Sequence, residues 1–225
     1  PVSALTGIDH APPMVTDNTA QEANFTSQDL QFYSELDGAI NFVSGLYYYR
    51  SDEEQFFAVR EDNDDVMAVY AFLGNLVGRN TSTENWLYRG NSNLITTTYA
   101  AYGQGTWDFS SQWRLTAGLR YSQDDKDGGD TTFVQWVGDG DISRKAKDNW
   151  DSVDWRLGLD YTFMSGQMLY GSLATGYRSG GFNFMKPTAS TYVDRVAPED
   201  LLSLELGYKG ALIDNRLQLA AAAYF

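Results

Sequence analysis

The chain has no cysteine and only one histidine among its 225 residues. Without cysteine, neither a disulfide framework nor a thiolate metal site can form. The histidine, His10, stands alone in a Pro-rich stretch, and a single imidazole does not make a metal centre. We therefore expect no metal and no cofactor, and no residue pattern in the chain indicates a catalytic site.

Long apolar runs are missing as well. No stretch of the chain approaches the roughly 18 apolar residues that a membrane-spanning helix requires. This absence does not exclude a membrane protein, because a membrane β-strand alternates apolar and polar residues and so never shows a long apolar run.

Positive charge is scarce: 16 basic residues stand against 30 acidic ones, which gives a formal charge of −14. This balance argues against a nucleic-acid partner, because phosphates need a basic surface. What the chain does have is aromatic residues, at 15% of its length, together with 21 glycines. Such a composition favours β-sheets with crowded turns and wet edges.

Alternation with a period of two marks three segments, 114–122, 155–163 and 202–209. In the first of them the apolar set is Leu115, Ala117, Leu119 and Tyr121. Residues of one strand point alternately to the two faces of a sheet, so each segment has one apolar and one polar side. Weaker alternation occurs at 26–35, 39–50, 96–109, 168–179 and 216–225. We predict an all-β protein with about eight antiparallel, up-and-down strands.

The connections between these strands alternate between short and long. Short turns rich in Asp, Asn, Gly and Ser are predicted at 36–38, 109–112, 164–167 and 213–216. Long connections are predicted at 51–93, 126–149 and 180–198. Because successive connections of antiparallel strands lie at opposite ends of the sheet, all short turns share one end. Outer-membrane barrels have this asymmetry, with short periplasmic turns and long extracellular loops.

Alternation alone does not say which face of the sheet points inward, and a soluble lipocalin-like barrel would have its apolar face inside. Two features favour an apolar outside. Aromatic residues cluster near the strand ends, where the girdles at the two membrane interfaces fall. The polar faces carry charges that suit a lumen, and we expect them to pair with each other or with a plug. These lumen-facing residues are Arg114, Arg120, Arg156, Asp160, Glu205 and Lys209.

Two acidic runs, at 52–54 and 64–65, are predicted to lie in long, irregular loops. There the carboxylates would be solvated or would contact lipopolysaccharide through divalent cations. Gly180 and Gly181 lack the lysine and the following helix of a phosphate-binding loop, so we interpret them as a bend or loop entry.

Five motifs resemble the barrel of TonB-dependent outer-membrane receptors, in the order of that family. The clearest is GYRSGGFN at 176–183, which resembles the end of a late barrel strand. The others are SQDL at 27–30, AGLRY at 117–121, APED at 197–200 with LELGYK at 204–209, and LIDNRLQL at 212–219. Each motif is weak alone, but the set covers about residues 25–225.

The resemblance implies a receptor of a Gram-negative cell outer membrane that imports a ferric siderophore or similar scarce cargo. Its partners would be outer-membrane lipid, lipopolysaccharide, the cargo and, through a plug domain, the TonB complex. Cargo would bind among the extracellular loops and upper lumen. The residues we expect to contact it are Tyr177, Arg178 and Asn183, at the top of the sixth strand.

The chain is expected to be a fragment of such a receptor. Its start lacks a signal peptide and an initiating Met, and neither a plug domain nor a TonB-binding segment is recognisable. Plugged outer-membrane transporters have about 22 strands. We expect residues 1–24 to be a loop or preceding connection and residues 25–225 to be part of such a barrel.

Two other interpretations remain open. A complete eight-stranded outer-membrane barrel would act as an anchor or small channel, because eight strands leave a lumen just wide enough for side chains to fill. A soluble ligand-binding barrel would have an apolar interior. An exposed apolar belt that requires detergent would separate the membrane barrels from the soluble one.

Overall fold

The computed structural model describes residues 15–76, 85–135, 140–164, 166–213 and 216–225. His10 and the rest of the first 14 residues lie outside the described part, as do Asp214 and Asn215 of the last predicted turn. The elements are β1 (Val15–Tyr33), β2 (Ile40–Glu61), α1 (Asp64–Leu76), β3 (Trp86–Asp108), β4 (Trp113–Val134), β5 (Ile142–Met164), β6 (Gln167–Arg178), β7 (Gly181–Asn183), β8 (Asp194–Val196), β9 (Glu199–Leu212) and β10 (Leu217–Tyr224).

Eight of these strands form one sheet in the order β1-β2-β3-β4-β5-β6-β9-β10. Every neighbouring pair in it is antiparallel. The short strands β7 and β8 pair with each other in the connection between β6 and β9. The prediction of eight antiparallel, up-and-down strands is therefore confirmed. The four short connections lie at one end of the strands, which we call the short-turn end. We call the opposite end of the strands the long-loop end.

Strands β2 to β5 are much longer than the sequence predicted, at 22 or 23 residues each. Most of the predicted connections 51–93 and 126–149 is paired strand, with Asp52 opposite Ile95 and Lys126 opposite Asp148. A membrane needs only about 9–11 residues per strand, so the two hairpins continue well past any bilayer. The prediction of long loops was wrong here. The β4–β5 extension is mostly polar on both faces, and in β2 the apolar residues 56–59 are consecutive, so strict alternation marks neither extension.

The start of β1 and the acidic runs also differ from the predictions. Strand β1 begins at Val15, opposite Glu61, so the predicted connection 1–24 is strand from Val15 onward. The acidic run 52–54 lies inside β2, and the run 64–65 forms the first turn of α1. Carboxylates stabilise a helix N-terminus. Asn63 caps this helix, since its Oδ1 accepts a hydrogen bond from the Asp65 N–H at 3.0 Å.

The register places the apolar residues of neighbouring strands on one face, which we call the apolar face. Leu115 is opposite Leu159, Leu157 is opposite Leu173, and Leu173 is opposite Leu204. This face is not sealed by protein: Leu157 is 48% exposed and Leu204 is 39% exposed. The other face, which we call the polar face, carries all six residues predicted to face a lumen, with Arg114 opposite Asp160.

Aromatic rings mark two levels on the apolar face. At the short-turn end an almost continuous series of rings crosses the sheet, with neighbouring centroids 4.4–6.5 Å apart. Its members are Trp107, Phe109, Trp113, Tyr161, Phe163 and Tyr208. The second level holds Tyr48 and Tyr99, whose centroids are 5.4 Å apart.

The spacing of the two levels matches a membrane. From Tyr99 to Trp107 along β3, at about 3.4 Å per residue, is about 27 Å. At a strand tilt of about 40° this corresponds to roughly 20 Å of height, close to the apolar band of an outer-membrane barrel. The segments between the levels therefore have the height expected of membrane-spanning strands. Among the described residues, no helix is long and apolar enough to cross a membrane.

Candidate ligand-contact site at the long-loop end

Several of the predicted lumen charges are paired on the polar face. The Arg114 guanidinium forms a bidentate salt bridge with Asp108, with Nε–Oδ1 and Nη2–Oδ2 distances of 2.6 and 3.0 Å. The Tyr170 hydroxyl donates to Glu205 at 2.7 Å, and Lys209 Nζ lies 5.0 Å from the centroid of the Tyr170 ring. Such pairing supplies these charged groups with hydrogen-bond or ring partners.

Arg120 lies between two tyrosine rings rather than against an acid. Its guanidinium carbon is 5.4 Å from the Tyr47 centroid and 5.8 Å from the Tyr102 centroid. The Tyr102 hydroxyl in turn donates to Asp29 at 2.9 Å. Arg156, with Arg120 and Tyr102, lines an open cavity of about 280 Å³ on this face. That the polar face looks into a lumen stays a prediction.

The three residues predicted to contact cargo do not form one cluster. Tyr177 and Arg178 are consecutive in β6, so their side chains leave opposite faces of the strand. Arg178 is 82% exposed and pairs loosely with Glu199, at 3.6 Å. Asn183 is exposed and lies opposite Asp194 in the β7–β8 pair. Arg178 is thus the member with a charge open to an incoming ligand.

Tyr177 has a different environment from its neighbour. Its hydroxyl is buried and has no hydrogen-bond partner among the residues that the structure describes. Tyr177 lies just beyond the point where β6 separates from β5. There the Thr175 hydroxyl accepts a hydrogen bond from the Trp155 N–H at 2.9 Å and donates one to Asp154 at 3.2 Å. A side chain thus takes the place of a backbone hydrogen bond between the two strands. Tyr177 therefore helps to fill the gap between diverging strands.

A second group beside β6 was not found from the sequence. Lys126 Nζ donates to the Gly180 carbonyl at 2.8 Å and lies 5.7 Å from the Trp150 ring centroid. Burial lowers the pKa of Lys126. The Trp150 ring also contacts Phe182, at 5.8 Å between centroids. These residues give the long-loop end a cation and two aromatic faces near Arg178.

The glycine pair has a packing role here. A Cβ at Gly180 would lie 2.5 Å from the Trp150 indole and 2.6 Å from the Val196 carbonyl oxygen. Only glycine fits this approach. The position is a tight loop entry, as the sequence indicated, and not a phosphate-binding loop.

The connection between β7 and β8, residues 184–193, folds back onto the polar face of β3, β4 and β5; we call it the docked loop. Its central anchor is Arg144, whose side chain is 0% exposed and pairs with Asp130 at 2.6 Å. Burial and the Asp130 charge raise the pKa of Tyr88, beneath the loop, to about 12. No sequence pattern pointed to these three residues, because they lie in extensions that were predicted as loops.

Comparison with known proteins adds a family match to this geometry. The chain matches the family described as "TonB dependent receptor-like, beta-barrel" over residues 4–225. The pesticin receptor of Yersinia enterocolitica (serotype O:8, biotype 1B) is 28% identical over 123 residues, which cover 55% of this chain and 18% of that receptor. The pesticin receptor of Yersinia pestis matches to the same extent. The chain thus spans less than a fifth of these curated relatives.

Solved structures with the same fold include larger receptors and transporters. The ferric yersiniabactin uptake receptor FyuA from Yersinia pestis superposes with a TM-score of 0.75 at 22% identity, over 93% of this chain and 29% of that one. The copper transporter OprC gives a TM-score of 0.61 at 16% identity, over 92% and 30%. The closed form of the ferric-catecholate import receptor Fiu from K12 E. coli gives 0.56 at 15% identity, over 92% and 31%. At these identities the similarity establishes the fold.

Proposed function

Because the chain belongs to the TonB-dependent receptor β-barrel family, an outer-membrane family of receptors and not of enzymes, we propose that it is part of a receptor for a ferric siderophore or similar scarce cargo. The match over residues 4–225 is the observation that carries this proposal. The functions in the names of its relatives support it: a ferric yersiniabactin uptake receptor, a ferric-catecholate import receptor and pesticin receptors.

In this proposal the apolar face touches membrane lipid and the polar face lines the bore. The bilayer lies between the two aromatic levels, in the outer membrane of a Gram-negative cell. The long-loop end is extracellular, where the hairpins β2–β3 and β4–β5 stand beyond the lipid among lipopolysaccharide. Cargo arrives at this end and meets the exposed charge of Arg178 and the rings beside it.

Energy for transport comes from outside the described sheet. A plug domain, supplied elsewhere in the receptor, fills the bore of a barrel of about 22 strands. The TonB complex acts on that plug from the periplasm. The proposed contribution of this chain is an arc of the barrel wall and part of the cargo-binding mouth.

A growth assay tests the proposal. The full-length receptor is expressed in an iron-starved Gram-negative strain that lacks its own siderophore receptors, and single ferric siderophores, haem or cobalamin are supplied. Growth, or cobalamin-dependent methionine synthesis, should return with at least one cargo and should require TonB. Rescue that persists in a TonB deletion, or rescue by none of the cargoes, would contradict the proposal.

Arg178 provides the residue-level test. Arg178→Ala removes a charged hydrogen-bond donor, so the affinity for the rescuing cargo should fall by about tenfold. The amount of receptor in the membrane should stay unchanged, since the Glu199 partner is exposed and the pair is loose. The matched control is Arg60→Ala, which removes an arginine at the same end of the sheet that is 50% exposed and pairs with Asp62 at 3.3 Å. Equal affinities of both variants and the parent would remove Arg178 from the site.

A further inference from the structure

The docked loop is held by side chains from three different strands. Tyr88 comes from β3, Asp130 from β4 and Arg144 from β5, and all three lie on the polar face. Asp130 is seven residues beyond Gln123, the β4 partner of Tyr99, so it lies about 24 Å past the level of Tyr48 and Tyr99 (the upper aromatic level) at about 3.4 Å per residue. The attachment is therefore made outside the membrane-spanning segments.

Arg144 uses all five of its N–H donors there. Nη1 donates to Asp130 Oδ2 at 2.6 Å and to the Thr132 hydroxyl at 3.1 Å. The other three bonds go to backbone carbonyls of alternate loop residues. These are Nη2 to Lys186 and Thr188, at 3.1 and 2.9 Å, and Nε to Ser190, at 2.8 Å. The loop is wrapped around one guanidinium whose hydrogen-bonding capacity is full.

Met185, at the entry to the loop, is held by Asp130 and Tyr88 rather than by Arg144. Met185 has a φ of +56°, in the left-handed region that a non-glycine residue adopts only at a cost. Its N–H donates to Asp130 Oδ2 at 2.6 Å, and its carbonyl accepts from the Tyr88 hydroxyl at 2.5 Å. Both backbone groups of the strained residue are thus fixed from the strands below.

These contacts make the loop, rather than the strands behind it, the surface that faces the mouth. Arg144 and Asp130 have side chains that are 0% exposed, whereas residues 187–192 are exposed and Tyr192 is 67% exposed. The Tyr192 ring lies 5.9 Å from Lys186 Nζ, which also pairs with Asp194. A ligand entering along the polar face at this level would meet a loop that carries the exposed aromatic face of Tyr192.

We propose that Arg144 and Asp130 are positioning residues that keep the docked loop in place as the ligand-facing wall of the mouth. The ligand-facing part rests on the proposed function; the positioning part does not. Arg144 would affect cargo affinity without touching cargo. Neither residue is expected to matter for assembly of the membrane-spanning segments, which end about 24 Å away along β4 at about 3.4 Å per residue.

Local order of the loop tests the positioning directly. A nitroxide at Ala189→Cys in the purified full-length receptor should give a broad, immobile spectrum. Adding Arg144→Met, which removes every donor, should sharpen the spectrum and speed hydrogen exchange of amides 185–192 by about tenfold or more. The matched control is Lys147→Met on the same strand, whose pair with Asp127 is exposed on the apolar face. The control should leave both readouts unchanged.

A second variant covers the case in which Arg144→Met does not assemble. Tyr88→Phe removes only the bond to the Met185 carbonyl, and should speed exchange of the Met185 and Lys186 amides by a smaller factor. If neither variant changes the nitroxide spectrum or the exchange, or if Lys147→Met changes them equally, the positioning claim is overturned. The readouts need no cargo, so they stand even if the growth assay fails.

Cargo binding then tests the ligand-facing part. The probe is the siderophore that restores growth, and Arg144→Met should weaken its binding by about tenfold. Arg144→Lys keeps the positive charge but not the planar guanidinium with its five donors, so the affinity of this variant should lie between those of Arg144→Met and the parent. Weak binding with an immobile loop would place Arg144 in direct contact with cargo instead. Unchanged binding with a mobile loop would show that the loop does not face the ligand.

Discussion

Gly207 has almost no space for a side chain. It lies directly opposite Tyr170 on the polar face, and a Cβ there would overlap the tyrosine ring. The ring fills the volume that glycine leaves and places its hydroxyl on Glu205. Gly45 and Tyr102 repeat the arrangement across β2 and β3, with a Cβ distance of 2.5 Å to the Tyr102 hydroxyl. Such pairs fix the register of the two strands, because the tyrosine ring lies over the glycine of the neighbouring strand.

Gly207→Ala should therefore lower the stability of the barrel by about 1–3 kcal/mol, because Tyr170 has to leave its rotamer and its bond to Glu205. The measurement is the temperature at which the full-length receptor loses its folded mobility on a gel. Gly158→Ala, on the same face, is the control, since its nearest neighbour would be Thr116 Cβ at 3.6 Å. Equal melting of both variants would mean that the Gly207–Tyr170 pair has no role in stability.

Tyr88 gives the docked loop a pH dependence. Its pKa in the folded state, about 12, lies above the ordinary value of 10.0. Folding thus favours the neutral phenol: its contribution is complete below pH 10 and is lost as the pH rises from about 10 to about 12. The mobility of a nitroxide at Ala189→Cys should rise over that interval. In Tyr88→Phe the rise should be absent or much smaller, and an identical rise in both would assign it to other groups.

At the scale of strands and hairpins, the alternating pattern predicted strands only up to the upper aromatic level, where one face of the sheet is apolar and the other polar. Segments 114–122 and 155–163 alternate, and they lie in β4 and β5 as predicted. In the receptor proposed here, one face of these segments meets hydrocarbon and the other meets polar groups. Beyond the upper aromatic level, both faces would meet water or loops in that receptor, and the period of two disappears from the sequence. For that reason the sequence did not predict the strand extensions that carry Asp130 and Arg144. Resemblance to a family located the end of β6, but not the packing of the loop onto neighbouring hairpins.

The same boundary predicts where a charge is tolerated. Leu157 lies on the apolar face midway between Tyr161 and Val153, the partner of Tyr121. Leu157→Arg should destabilise the barrel by about 2–4 kcal/mol, as expected for a cation at the middle of the bilayer. Ile95→Arg, on the same face but past the upper aromatic level at Tyr99, should cost only about 0–1 kcal/mol. Melting in lipid vesicles measures both, and equal losses would refute the proposed bilayer position.

At the scale of the whole molecule, the sheet has two edges, β1 and β10. Strand β1 is exposed along all 19 of its residues, and β10 along all 8. Backbone groups at such edges cannot remain unpaired in hydrocarbon, since each unsatisfied group costs several kcal/mol. In the receptor proposed here, further strands of the same barrel cover both edges. The apolar face raises the same requirement, because among the described residues the buried hydrophobic side chains lie mainly at the long-loop end.

This requirement separates the receptor from the small complete barrel. Residues 15–225 produced alone and refolded in detergent should not give a monodisperse species with a heat-dependent gel mobility. They should instead associate through their open edges, seen as large β-rich particles in light scattering and circular dichroism. The full-length receptor under the same conditions is the control and should refold as a monomer. A compact, heat-modifiable monomer from residues 15–225 would mean that β1 and β10 can pair with each other, and would favour an eight-stranded barrel over an arc of a larger one.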